Sequence, residues 1–276
     1  MRAPINKIIK FSNVDGPSNR CSIFFQKCPN NCLFCHNPET INMCINCGEC
    51  VEGCPSNALT INSDNKVIFN PDKCIDCDQC IKVCRFNASP KIRYLTVDEL
   101  FAEIDKIKLL IDGITVSGGE CMEYPDFLTE LFKKVKEINL TTFIDSSGYY
   151  DFSKYPELLK YTDKVMLDVK AYDSNFYKLL VKSNVDTVLK NLKFLLDNDK
   201  MYEVRTIIFP NEDIINSETV SKVSKIINGR CYYKLIKYRP IGVRQEGKDQ
   251  LGNIATGNID KYVDIAKKNN CKVIEI

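Results

Sequence analysis

Charge of either sign is what this chain of 276 residues has least of in surplus. Its 38 lysines and arginines stand against 36 aspartates and glutamates, a formal net charge of +2. Without a basic surplus nothing asks for nucleic acid, and without an acidic run there is no solvating tail. Long apolar stretches are also missing: none approaches the ~20 residues that span a bilayer, and residues 1–17 lack the apolar stretch of a secretory signal. The expectation is a cytoplasmic protein with no membrane and no nucleic-acid partner. The length, with an ordinary hydrophobic content of 44%, suits one large domain or a core plus a small module.

Cysteine is present in excess. Of 15 cysteines, 12 fall between Cys21 and Cys84. The chain length, the lack of an export signal and the odd count argue against a disulfide scaffold. In a reducing cytoplasm, clustered cysteines at short, regular spacings read as metal ligands. Cys28, Cys32 and Cys35 form a C-x3-C-x2-C run with no fourth member. Cys44, Cys47, Cys50 and Cys54 form C-x2-C-x2-C-x3-C, and Cys74, Cys77, Cys80 and Cys84 repeat it. Short x2 steps let one tight loop wrap three corners of a cubane, and the x3 step carries the fourth thiolate across to a neighbour. Tetrathiolate zinc also uses C-x2-C pairs, but rarely needs four cysteines in a run of 11 residues. The three-cysteine run leaves one iron of a cubane without a protein ligand, and an open coordination position is where substrate chemistry happens. A structural Cys3His zinc site competes with that reading, because the only histidine, His36, directly follows Cys35. Cys21, Cys121, Cys231 and Cys271 have no partner spacing and read as small packing residues.

Beyond the cysteine runs, strand-like and helical segments alternate. Strands are expected at 22–25, 113–117, 141–145, 164–169, 202–209 and 232–238, and helices at 97–110, 126–138, 185–196 and 259–268. About six βα units of this kind predict an α/β protein with a parallel sheet. Polar groups stand where the strands stop: Ser117-Gly118-Gly119-Glu120, Asp145-Ser146-Ser147-Gly148 and Asp168-Val169-Lys170. Arg205 lies within the fifth strand and Arg239 follows the sixth. In βα barrels the chemistry gathers at those C-terminal ends.

The two four-cysteine runs resemble the bacterial two-cluster ferredoxins, in which the fourth cysteine of each run ligates the other cluster. That resemblance implies Cys44, Cys47, Cys50 and Cys84 around one [4Fe-4S] cluster and Cys74, Cys77, Cys80 and Cys54 around another. Segments 57–61 and 87–92 would be the paired strands of this module, and Arg85 stands where the pattern has proline. The run Cys28-x3-Cys32-x2-Cys35, with Phe34 before its last cysteine, resembles the radical SAM signature. It implies a third [4Fe-4S] cluster whose open iron chelates S-adenosylmethionine (SAM). Residues 11–17, Arg20 and Cys35-His36-Asn37-Pro38 are similar to the opening of the glycyl radical enzyme activases, with Gly16-Pro17-Ser18-Asn19-Arg20 in place of their usual Gly-Pro-Gly-Ile-Arg. Together with the eight-cysteine insert, the pattern looks closest to the YjjW type.

The resemblance implies a partial (βα)6 radical SAM barrel formed by 1–42 and 92–276, with a ferredoxin-like α+β module inserted at 43–91. It places Gly118, Gly119 and Glu120 at the amino end of SAM, with Phe34 and Arg239 also at the cofactor and Lys170 at its carboxylate or ribose. Asp145, Ser146, Met166 (by its carbonyl) and Asp168 would hold a monovalent cation, since two carboxylates beside a SAM carboxylate repel. Arg205 either faces the glycine loop of a partner or anchors a carboxylate of the barrel. The implied activity is reductive cleavage of SAM and abstraction of hydrogen from a glycine of a partner glycyl radical enzyme. A flavodoxin- or ferredoxin-like protein would donate the electrons. A radical SAM enzyme acting on a small molecule, and a multi-cluster electron-transfer protein, are the competing readings; the second leaves Gly118-Gly119-Glu120 without a role.

Overall fold

The computed structural model describes residues 1–276. The chain opens with an antiparallel pair, β1 (Arg2–Ser12) and β2 (Arg20–Phe25). The stretch 43–91 then leaves this sheet, carrying α1 (Glu49–Glu52), the hairpin of β3 (Leu59–Ile61) and β4 (Val67–Phe69), and α2 (Gln79–Lys82). Next, β5 (Arg93–Thr96) returns to pair with β1. β6 (Gly113–Gly118) lies parallel to β2, and β7 (Thr141–Ser146), β8 (Lys164–Asp168), β9 (Met201–Ile208), β10 (Tyr232–Lys237) and β11 (Lys272–Glu275) each follow in parallel. The nine-stranded sheet has the order β11-β10-β9-β8-β7-β6-β2-β1-β5 and ends in two edge strands rather than closing.

Eight helices connect and cover these strands: α3 (Val97–Asp105), α4 (Pro125–Glu137), α5 (Pro156–Tyr161), α6 (Ser174–Val181), α7 (Asp186–Asp197), α8 (Asp213–Ile227), α9 (Gln245–Leu251) and α10 (Asp260–Lys267). Their sequences fix their ends. Thr96 and Glu99 close a capping box at the start of α3, while Pro125 occupies the first turn of α4, where its missing N–H is not needed. Phe127, Leu128, Leu131, Phe132 and Val135 then bury one face of α4. No helix is long and apolar enough to cross a membrane.

All six expected strands form, with ends shifted by a residue or two, and β11 adds a seventh parallel strand. The expected pairing of 57–61 with 87–92 does not form. Asn62 accepts hydrogen bonds from the backbone of Asp64 and Lys66, and Asn65 takes a positive φ of 56°. This tight turn folds β3 onto β4 instead, while Ala88 makes only an isolated bridge to Asn42.

Directly paired residues of neighbouring strands share a face, which divides the sheet chemically. Ile114, Val116, Ile144, Val165, Leu167, Val204, Tyr233 and Leu235 are fully buried among the helices. The opposite face carries Ser22, Thr115, Ser117, Asp145, Met166, Asp168, Glu203, Arg205 and Lys234. A one-residue register shift sits between the pairs Val165–Met201 and Met166–Glu203. Since side chains alternate along a strand, that extra residue in β9 is what turns Glu203 and Arg205 to the polar face.

Candidate functional site

The loop after β2 presents the first cysteine run at the C-terminal end of the sheet. Lys27 and Cys28 donate backbone hydrogen bonds to Thr40 and Ile41, each at 2.9 Å, and Asn31 and Leu33 donate to Val181 and Leu180 at the end of α6. The Gln26 amide ties the returning strand by donating to the carbonyls of Glu39 and Asn42. On the other side α9 presses close: a Cβ at Gly247 would lie 1.9 Å from the Leu33 carbonyl, and Arg244 donates to the Cys32 carbonyl at 3.0 Å. Leu33 and Phe34 are buried, with the Phe34 ring edge-on to Phe209 at 5.3 Å.

All three thiols are free. Burial pushes Cys32 up to about 12, with Lys170 and Arg244 opposing the rise, and raises Cys28 and Cys35 as well. His36 turns outward, its Nε2 3.0 Å from the Arg239 carbonyl, so the protein's donor set is three thiols and no imidazole. Arg239 itself is exposed.

The end of β6 packs beneath this loop. A Cβ at Gly119 would stand 2.2 Å from the Lys27 carbonyl, and the Gly119 and Glu120 N–H groups donate to Phe25 and Lys27 at 2.9 Å. The glycines therefore serve close backbone packing. The Glu120 carboxylate, 1% exposed, accepts from Ser146 Oγ (2.9 Å), the Met122 N–H (3.2 Å), and the Ser147 N–H (2.9 Å) and Oγ (2.5 Å). Burial still raises its pKa, against those bonds.

On the polar face, Arg205 donates to Asp145 (2.9 Å) and Glu203 (2.6 Å), and its Nη2 lies 3.1 Å from the Met166 sulfur. Lys170 donates to Asp168 at 2.6 Å, with its ammonium 5.7 Å from the Phe34 ring centre, and Lys234 lies 3.4 Å from Glu203. The three carboxylates Asp145, Asp168 and Glu203 thus face three basic groups. Of the four residues expected to share a cation, Asp145, Met166 and Asp168 come together around Arg205 and Lys170, while the Ser146 hydroxyl turns to Glu120. Arg205 is thus ion-paired to carboxylates on two strands of the sheet, β7 and β9. Arg20 is buried beneath Phe143, 4.1 Å from its ring centre, and donates to Thr115, Thr141 and the Ile114 carbonyl.

The stretch 43–91 repeats in its backbone as well as its cysteines. Positive φ recurs thirty residues apart at Asn46 and Asp76, at Gly48 and Asp78, and at Asn57 and Asn87. Two small, partly open cavities result. Cys44, Cys47, Cys50 and Cys84 line the first, whereas Cys54, Cys74, Cys77 and Cys80 line the second. Each cavity thus takes three cysteines of one run and the last of the other.

At all three places the donors are cysteine sulfurs: three at the loop after β2 and four lining each of the two pockets. Two buried side-chain atoms have no hydrogen-bond partner: Asn30 Oδ1 inside the three-cysteine loop, and Nε of Arg244, which bonds that loop at Cys32. Such atoms cost about 1–3 kcal/mol each, and their concentration here marks a place built to receive a polar group. Neither residue stood out in the sequence, nor did α9. The one usable signal was Asn30 lying inside the cysteine run.

The radical SAM superfamily profile matches residues 22–222. The trans-4-hydroxy-L-proline dehydratase activating enzyme of Clostridioides difficile is 32% identical over 260 residues, which cover 87% of this chain and 85% of that protein. The pyruvate formate-lyase-activating enzyme of Clostridium pasteurianum is 28% identical over 256 residues, covering 90% and 87%. QueE from Escherichia coli shares the fold with a TM-score of 0.55 at 13% identity, covering 100% of this chain and 94% of that one. With the matched span running from β2 into α8, across the cysteine loop and every strand end as far as β9, the chain belongs to the radical SAM superfamily.

Proposed function

We propose that this radical SAM enzyme is the activase of a glycyl radical enzyme. Both curated relatives described above are activating enzymes, and more than four-fifths of each is covered. The observation that carries the reading is the set of three free thiols, without a fourth protein ligand, at the C-terminal end of a sheet whose polar face is charge-balanced. When bound, a [4Fe-4S] cluster with SAM at its open iron supplies, on reduction, a 5′-deoxyadenosyl radical able to take hydrogen from a glycine of the partner. Cys28, Cys32 and Cys35 hold that cluster. Lys170, near Phe34, receives the carboxylate end of SAM, and Gly118-Gly119-Glu120, braced by the buried Glu120 carboxylate, forms the strand end at its ammonium. Leu33, Phe34 and Phe209 keep water from the loop, and Arg244 with α9 holds it in place.

Stretch 43–91 acts in this proposal as a ferredoxin-like module of the YjjW type, with two further [4Fe-4S] clusters in the two cysteine-lined cavities. It passes on electrons from a flavodoxin- or ferredoxin-like donor. The crosswise lining of the cavities and the thirty-residue backbone repeat support it.

The test is anaerobic incubation of the reconstituted, reduced enzyme and SAM with a candidate partner that carries a glycine-radical loop. A glycine-centred electron paramagnetic resonance (EPR) signal is expected. Turnover of a small molecule with no partner present would overturn the assignment.

A further inference from the structure

The repeat that builds the two cavities is regular in its cysteines and broken in its charges. Thirty residues on, the counterpart of Asn46 is Asp76, that of Gly48 is Asp78, and that of Ile61 is Lys91. The first cavity is walled by Ile45, Val67, Phe86, Ala88 and Pro90; its one charged wall residue, Glu49, is paired with Arg85, which lies outside the wall. The second has Lys91 and Asp78 in its wall.

Lys91 is fixed there. Its ammonium donates to Asp78 at 2.7 Å and to Asp76 at 3.2 Å. Held between two carboxylates, it is fixed as an ammonium. The three charges are not equally screened. The Lys91 side chain is 17% exposed, against 58% for Asp78 and 85% for Asp76. Asp76 lies 3.6 Å from the Cys74 sulfur and Asp78 shares the wall, so in this trio Lys91 is the one positive charge set against two carboxylates. A positive charge at the wall of an iron–sulfur site favours the reduced, more negative form and so raises its reduction potential.

We propose that Lys91 tunes the insert cluster held by Cys54, Cys74, Cys77 and Cys80, keeping its reduction potential above the value that Asp76 and Asp78 alone would impose. A groove between the module and β1 has Cys74, Asp76, Asp78 and Lys91 on one wall and Lys7 and Lys10 on the other. The inference rests on the reading of 43–91 as a two-cluster module.

The test is a redox titration of the anaerobically reconstituted full chain, followed by EPR, on the parent and on Lys91→Gln, Lys91→Arg and Asp78→Asn. Lys91→Gln should lower one midpoint and leave the others in place, Asp78→Asn should raise the same midpoint, and Lys91→Arg should keep it near the parent value. That midpoint should be the one lost in a Cys77→Ala variant. No shift in Lys91→Gln, or a shift of the midpoint lost in Cys47→Ala, would each overturn the role of Lys91. Iron analysis separates this from failure of the underlying reading: about twelve irons per chain fit three cubanes, and about four would refute the two-cluster module itself.

Discussion

Arg205 on β9 donates to Asp145 on β7 over 2.9 Å, across the intervening strand that carries Met166, with the two side chains only 13% and 15% exposed. The same guanidinium bonds Glu203, so removing it leaves buried Asp145 without a cationic partner and Glu203 with Lys234 alone. Arg205→Met should destabilise the fold by about 3–5 kcal/mol. Denaturant unfolding checks this, and Arg205→Met combined with Asp145→Asn and Glu203→Gln should recover part of the loss. A loss under about 1 kcal/mol would show that the pair is held loosely.

A Cβ at Gly247 has no room against the Leu33 carbonyl, 1.9 Å away. Gly247→Ala should therefore push α9 off the cysteine loop while the sheet stays folded. The expected result is an unchanged circular dichroism spectrum with about four fewer irons per chain after reconstitution.

Burial holds the thiols of Cys21, Cys32 and Cys231 at about 12, above the ordinary 9.0. Each binds its proton more tightly folded than unfolded. That contribution is complete below pH 9 and is lost as pH rises from 9 toward 12. The iron-free chain should lose stability across that window in denaturant titrations. The reconstituted protein, whose ligand sulfurs are already thiolates, should lose less.

If stretch 43–91 relays electrons, Cys44→Ala and Cys74→Ala variants should lose activity with a protein donor and keep some with a strong chemical reductant. Equal loss under both conditions would assign the module to structure or docking.

Much of this was legible in the sequence because the signals were local. Cysteine spacing marked all three sulfur sets, and apolar runs marked β6 to β10, whose buried faces hold Ile114, Val116, Val165 and Leu167. The less visible elements are those whose pattern is diluted. In β1 the apolar positions are interrupted by Lys7 and Lys10, and β11 has only four residues. The inward aim of Arg205 depends on a one-residue register shift between β8 and β9, which leaves no mark in composition. Arg244 reaches Cys32 from the residue before α9, 212 positions along the chain, a contact no spacing rule records.

The central claim, radical chemistry at the three-cysteine loop, is tested most directly by quantifying 5′-deoxyadenosine after anaerobic reconstitution, reduction and addition of SAM. A Cys28/Cys32/Cys35→Ala variant is run alongside. Product from the parent and none from the variant is the predicted result. Equal product from both, or no product and no SAM binding by a fully iron-loaded parent, would contradict it.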